Sequence, residues 1–137
     1  MRKMIKTRFL FSLTAIVFAI VTASAHAAGL AAIKVNSAFS QPFDAEIDIT
    51  GITADDLLTA QARMARPEEY EATKLAYIPI VRNIRVTLEQ TGENKAVLKL
   101  ASTTPITEPA INLLVEFSWR GGRIMQKYPV LLDPPKQ

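Results

Sequence analysis

Cysteine is absent from the 137 residues, and histidine occurs once, as His26. The first absence excludes disulfides, thiolate metal ligands and a lipid-bearing N-terminal cysteine, so the fold must rest on its apolar core. The second becomes complete at the N-terminus. Arg2, Lys3, Lys6 and Arg8 precede an apolar run from Phe9 to Ala23, and Ala25-His26-Ala27 sets small residues at the two positions a signal peptidase reads. Residues 1–27 are predicted to be an export signal cleaved after Ala27, taking His26 with them. The alternative is an inner-membrane signal anchor with the rest facing the periplasm, since about 18 apolar residues is near the lower limit for a spanning helix. With no imidazole and no thiol, the exported part lacks the parts for a Ser-His-Asp or Cys-His nucleophile or a histidine-cysteine zinc site.

Excess positive charge is missing too. Of 16 Lys+Arg, the four in residues 1–27 go with the signal, leaving 12 against 13 Asp+Glu and a net charge of −1. The basic character of the whole chain belongs to the export segment, and the dense cationic stripe that nucleic acid requires is lacking. No nucleic-acid partner is expected, and adsorption to an acidic membrane falls with it. The exported part, 137 less 27 or 110 residues, is one domain's worth and buries about 65% of its unfolded surface.

What is present is mostly alternation. Ile33 and Val35, then Phe43, Ala45, Ile47 and Ile49 after the Gln41-Pro42 break, predict two strands. Thr53-Ala54-Asp55-Asp56 supplies a capping box for a short amphipathic helix with Leu57, Leu58, Ala62 and Met64 on one side. Arg66-Pro67-Glu68-Glu69-Tyr70 restarts a helical pattern, with proline fit for the first turn. A hairpin is predicted around Thr91 to Asn94, and Ser102 to Pro109 is expected to be a connector because two prolines remove donors. Ile111, Leu113, Val115, Phe117 and Trp119 alternate without a fault, and Gly121-Gly122 turns them into a returning strand that stops at Asp133-Pro134-Pro135. The expected fold is mainly β: an Ig-like antiparallel β-sandwich over residues 28–135, with a short helical insertion at about residues 53–72 and a tail at 136–137.

Carboxylates are the remaining route to catalysis. Asp55-Asp56 and Glu68-Glu69 each sit where a helix N-terminus favours negative charge, and adjacent acids on a helix point about 100° apart, so capping is the stronger reading of both. No loop has the spacing of a calcium site. Gly121-Gly122 is followed by no helix and reads as a hairpin turn rather than a phosphate cradle. Trp119 with Arg120 and Arg123 would suit either a stacking platform or the packed end of a strand. Tyr70 and Tyr77 would line a groove or cover the core's edge. Together with Lys127 these form the candidate interaction surface: Tyr70, Tyr77, Trp119, Arg120, Arg123 and Lys127. Unpaired sheet edges offer a second mode, with Ile33 to Asn36 and Ile124 to Val130 as the candidate strands. No catalytic, cofactor or metal residues are assigned.

Three segments, GLAAIKVNSAFSQPFDAEIDI, ARPEEY and ITEPAINLLVEFSWRGGRIMQKYPVLLDPP, together resemble the N-terminal periplasmic domain of the FimV family of polar hub and type IV pilus-assembly proteins. The resemblance spans Gly29 to Pro135. IKVNSAFSQPFDAEI, EPAINLLVEFSW and YPVLLDPP carry it most specifically, while Phe39-Ser40 and Phe43 depart from the family's usual Leu-Gly and Leu. Family members continue into a linker, a peptidoglycan-binding LysM module, a membrane span and an acidic cytoplasmic part. The expectation here is a stand-alone domain without the peptidoglycan anchor. The resemblance implies a non-enzymatic periplasmic module in pilus or secretin assembly, twitching motility or polar envelope organisation, binding an envelope protein or a full-length family member. A general envelope-binding or chaperone-like adaptor is the alternative, and a carboxylate-dependent hydrolase the remote one.

Overall fold

Alternation decides the first two strands, β1 (Gly29–Val35) and β2 (Pro42–Thr50). In β2, Phe43, Ala45, Ile47 and Ile49 are buried while Asp44 and Asp48 face water. Gly51, at φ 67°, takes the left-handed conformation that turns the chain out of the strand. The computed structural model describes residues 28–134; the predicted signal and the tail lie outside the described residues.

The remaining strands are β3 (Gln61–Met64), β4 (Arg85–Gly92), β5 (Lys95–Pro105), β6 (Ala110–Trp119) and β7 (Gly122–Leu131). They form two antiparallel sheets with strand orders β1-β2-β5-β4 and β3-β6-β7. That is the order of a constant-type immunoglobulin sandwich, four strands against three. The expected Ig-like sandwich is what the chain forms.

Antibody domains tie the second and sixth strands by a disulfide. Here Phe43, Ala45 and Ile47 on β2 and Ile111, Leu113, Val115 and Phe117 on β6 are all 2% exposed or less and belong to one core with Leu98 and Leu100 of β5. Losing a disulfide from a small domain costs about 2–5 kcal/mol. A fully buried Ile, Leu or Phe contributes about 1.5–3 kcal/mol. One or two of these side chains therefore offset the missing bridge.

Three local expectations need correction. The helix predicted to run through Met64 is a single turn, α1 (Ala54–Leu57), capped by reciprocal bonds between Thr53 and Asp56. So short a helix has no stability of its own, and Gln61 to Met64 instead pair with Ser118 to Val115 of β6, leaving Leu58 83% exposed. The insertion is thus two helical turns around a strand, the second being α2 (Pro67–Ala72) with Pro67 in its first turn. Ser102 to Pro105 are not connector but the end of β5. At Ala101 that strand still has both neighbours, and Pro105 then pairs only with Pro42, where a missing donor matters little. A 3₁₀ turn, Pro79–Asn83, stands where the sequence predicts only the approach to a strand.

Candidate functional site

The sandwich has two flanks, one between β3 and β4 and the other between β1 and β7, because these strands end their sheets. On the first flank β3 stops at Met64, and Ala65 N–H donates to Leu114 C=O at 2.8 Å. Tyr70 then takes the place of the next strand residues. Its hydroxyl accepts from Leu114 N–H (2.9 Å) and donates to Asn112 C=O (3.2 Å), closing the edge of β6. The ring is fully buried, stands edge-on to Tyr77 at 5.2 Å, and burial raises the phenol's pKa.

Glu69, the preceding residue, holds α2 to the outer face of the three-stranded sheet. Its carboxylate accepts two bonds from the Arg63 guanidinium (3.0 Å each), one from Arg123 Nη2 (3.1 Å) and one from Arg66 N–H (2.7 Å). Glu116 completes the network in ion-pair contact with both arginines, and its Oε2 makes no hydrogen bond beyond that contact. Arg63 faces Glu116 in register across β3 and β6, while Arg123 reaches it diagonally from β7. The bonds from Arg63 and from Arg66 N–H hold Glu69 well below the usual carboxylate range, at about 2. Glu69 is the helix-end acid the sequence predicts, and it is also the centre of a network that joins four segments. α2 closes with Lys74 in the left-handed region (φ 59°), Leu75 N–H bonding back to Tyr70 C=O.

The six candidate surface residues fall into separate settings. Tyr70 is placed on the surface by the sequence and is buried by the structure, because its hydroxyl serves as a backbone partner for β6. Tyr77 is half-buried against it. Trp119 stacks on Phe117 (centroids 5.4 Å apart) and lies under the β6–β7 turn so closely that a Cβ on Gly121 would meet Nε1 at 2.8 Å. Its ring is committed to packing on both sides. Arg120 is exposed beyond that turn, its N–H bonded to Thr59 Oγ1. Arg123 belongs to the Glu69 network, and Lys127 is exposed on β7 opposite Leu114. Among the described residues no three of His, Cys, Asp and Glu gather as metal ligands. No helix among them is long and apolar enough to cross a membrane.

The second flank is different. Both strands named from the sequence as edges are edges: β1 borders the larger sheet and β7 the smaller. Asn36 N–H donates to Asp44 C=O (2.8 Å), so in β1 the even positions Lys34 and Asn36 face β2, and the odd ones, Ile33 and Val35, turn their backbone groups outward. In β7 the odd positions point out, because the even ones of β6 face β3 and Tyr70. Among the described residues one side-chain bond joins β1 and β7, Tyr128 O–H to Ala31 C=O at 2.7 Å, at the bulge between Leu30 and Ile33. Burial pushes the Tyr128 phenol up to about 12.

This geometry sits within a recognised family. The model of the FimV N-terminal Ig-like domain matches residues 28–135. The chain is 32% identical, over 134 residues and 96% of its length, to proteins named "Motility hub protein FimV" from two strains of Pseudomonas aeruginosa. It spans 14% of the length of those relatives. No solved structure matches. The chain belongs to the FimV N-terminal Ig-like domain family.

Proposed function

We propose that the protein is a non-enzymatic periplasmic interaction module that supports type IV pilus or secretin assembly, and through it twitching motility or polar envelope organisation. Membership of the family over the whole described domain, with relatives named as motility hubs, is the observation that carries this reading. Its mode of binding is strand addition at the flank between β1 and β7, where backbone donors and acceptors face outward and no special side chains are needed. Export by residues 1–27 brings the domain to the periplasm. The partner is an envelope protein: a pilus or secretin component, or a full-length family member.

A crosslinked pull-down from the periplasm of the source bacterium, paired with twitching assays of a deletion strain, tests the proposal. Recovery of a pilus or secretin component together with a motility defect is the expected result. Normal twitching with no such component recovered would sink it.

A further inference from the structure

The two edges of the open flank are not equivalent. Along the outer edge of β7 the outward positions are Arg123, Met125, Lys127, Pro129 and Leu131. Pro129 has no N–H to offer, Lys127 is an exposed cation, and Arg123 is already engaged by Glu69 and Glu116. Proline and charge are the devices by which sheet edges refuse another strand. The outer edge of β1 has neither at Ile33 and Val35, and both side chains are half-buried, pointing along the core face.

The end of β1 also leads somewhere. Beyond Val35 lies a cavity of about 380 Å³, lined by Val35, Asn36, Ser37, Gln41 and Asp133 among others. Among the described residues Asp133 is the one ionisable residue lining it, and its main chain is pinned there because Phe39 N–H donates to Asp133 C=O at 2.8 Å. A strand laid along β1 runs its end into this cavity, and the charge that complements Asp133 is a cation.

We infer that β1, not β7, is the acceptor edge, and that it takes an extended partner segment beginning with a lysine or arginine that sits against Asp133, the segment running antiparallel to β1. The inference rests on the interaction-module reading and names the edge and the chemistry of its ligand. Antiparallel pairing is the more stable per residue. Partner side chains opposite Ile33 and Val35 continue the core row and are apolar, while those between them share the solvent face with Lys34.

The test uses the full chain, isotope-labelled, and two synthetic peptides of alternating threonine and valine, both acetylated and amidated, one starting with lysine and one with glutamate. The lysine peptide is expected to shift the Ile33 and Val35 amides and to bind about tenfold tighter than the glutamate peptide. Val35→Pro removes an outward N–H and no β1–β2 hydrogen bond, at the cost of some packing of the half-buried valine, so it is expected to abolish binding while leaving the domain folded, with its melting curve lowered by no more than several degrees. Asp133→Asn, at an exposed residue, is expected to erase the preference between the peptides without unfolding the domain. Shifts at Met125 and Lys127 instead, or at no residue of either edge, would overturn the assignment to β1, as would unimpaired binding by Val35→Pro. None of these outcomes decides the broader reading, which stands or falls on the pull-down and the motility assay.

Discussion

One flank of this sandwich is sealed and the other is left open, although both begin as the same problem of unpaired strand edges. On the β3 side the seal is the Tyr70 hydroxyl, which closes the edge of β6 beyond β3, together with the α2 turn that the Arg63–Glu69–Glu116–Arg123 network holds to the outer face of the smaller sheet. Between β1 and β7, among the described residues, it is the side-chain bond from Tyr128 to Ala31, with the backbone bond from Phe39 N–H to Asp133 C=O just past both strands. The contrast is one of bonding: buried and multiply bonded groups close the edge of β6, while along β1 the backbone groups of Ile33 and Val35 point away from β2.

The largest effect should come from the sealed flank. Tyr70→Phe leaves the buried Leu114 N–H and the part-buried Asn112 C=O without their partner, and is expected to cost about 2–4 kcal/mol by urea unfolding, at about 1–3 kcal/mol for an unsatisfied buried group and less for the partly exposed carbonyl. Glu69→Gln comes next at about 1–3 kcal/mol, the range for hydrogen bonds to charged groups. The same residue sets a pH dependence. Its folded pKa of about 2 lies below the ordinary 4.5, so between those values the unfolded state binds more protons. The stabilisation is complete above about pH 4.5 and is lost as pH falls toward 2, and Glu69→Gln should flatten that part of the unfolding profile. On the open flank Tyr128→Phe is expected to cost only about 1 kcal/mol, one hydrogen bond. Smallest of all is Lys34→Ala, under about 0.5 kcal/mol, because its contact with Asp48 is long (3.9 Å) and both side chains are more than half exposed. If Tyr128→Phe proved as damaging as Tyr70→Phe, the distinction between the flanks would collapse.

The sandwich was legible because strict alternation, as in Phe43 to Ile49 and Ile111 to Trp119, states both the strand and its buried face. Local caps were legible for the same reason: Thr53 and Asp56 lie within one turn of each other. The misreading of Ala62 and Met64 as helical came from a pattern of four residues that suits either period, and only pairing with β6 decides between them. The ion network was beyond reach because Arg63, Glu69, Glu116 and Arg123 come from four segments that meet only once both strand pairings are made. Tyr70 carried no mark of burial either; nothing local announces that β3 ends one residue short of the backbone groups its hydroxyl satisfies. Ile33 to Asn36 and Ile124 to Val130 read as edges in the sequence, but the order of preference between them needs the register that turns Pro129 outward.

Amide hydrogen exchange along β1 tests the open flank most directly. In the free protein Ile33 and Val35 should exchange quickly while Lys34 and Asn36, whose N–H groups face β2, stay protected. Adding the lysine-first peptide at saturation should bring Ile33 and Val35 to the protection of their neighbours. Uniform protection of all four amides in the free protein, or fast exchange at Ile33 and Val35 in the saturated complex, would contradict an acceptor edge at β1.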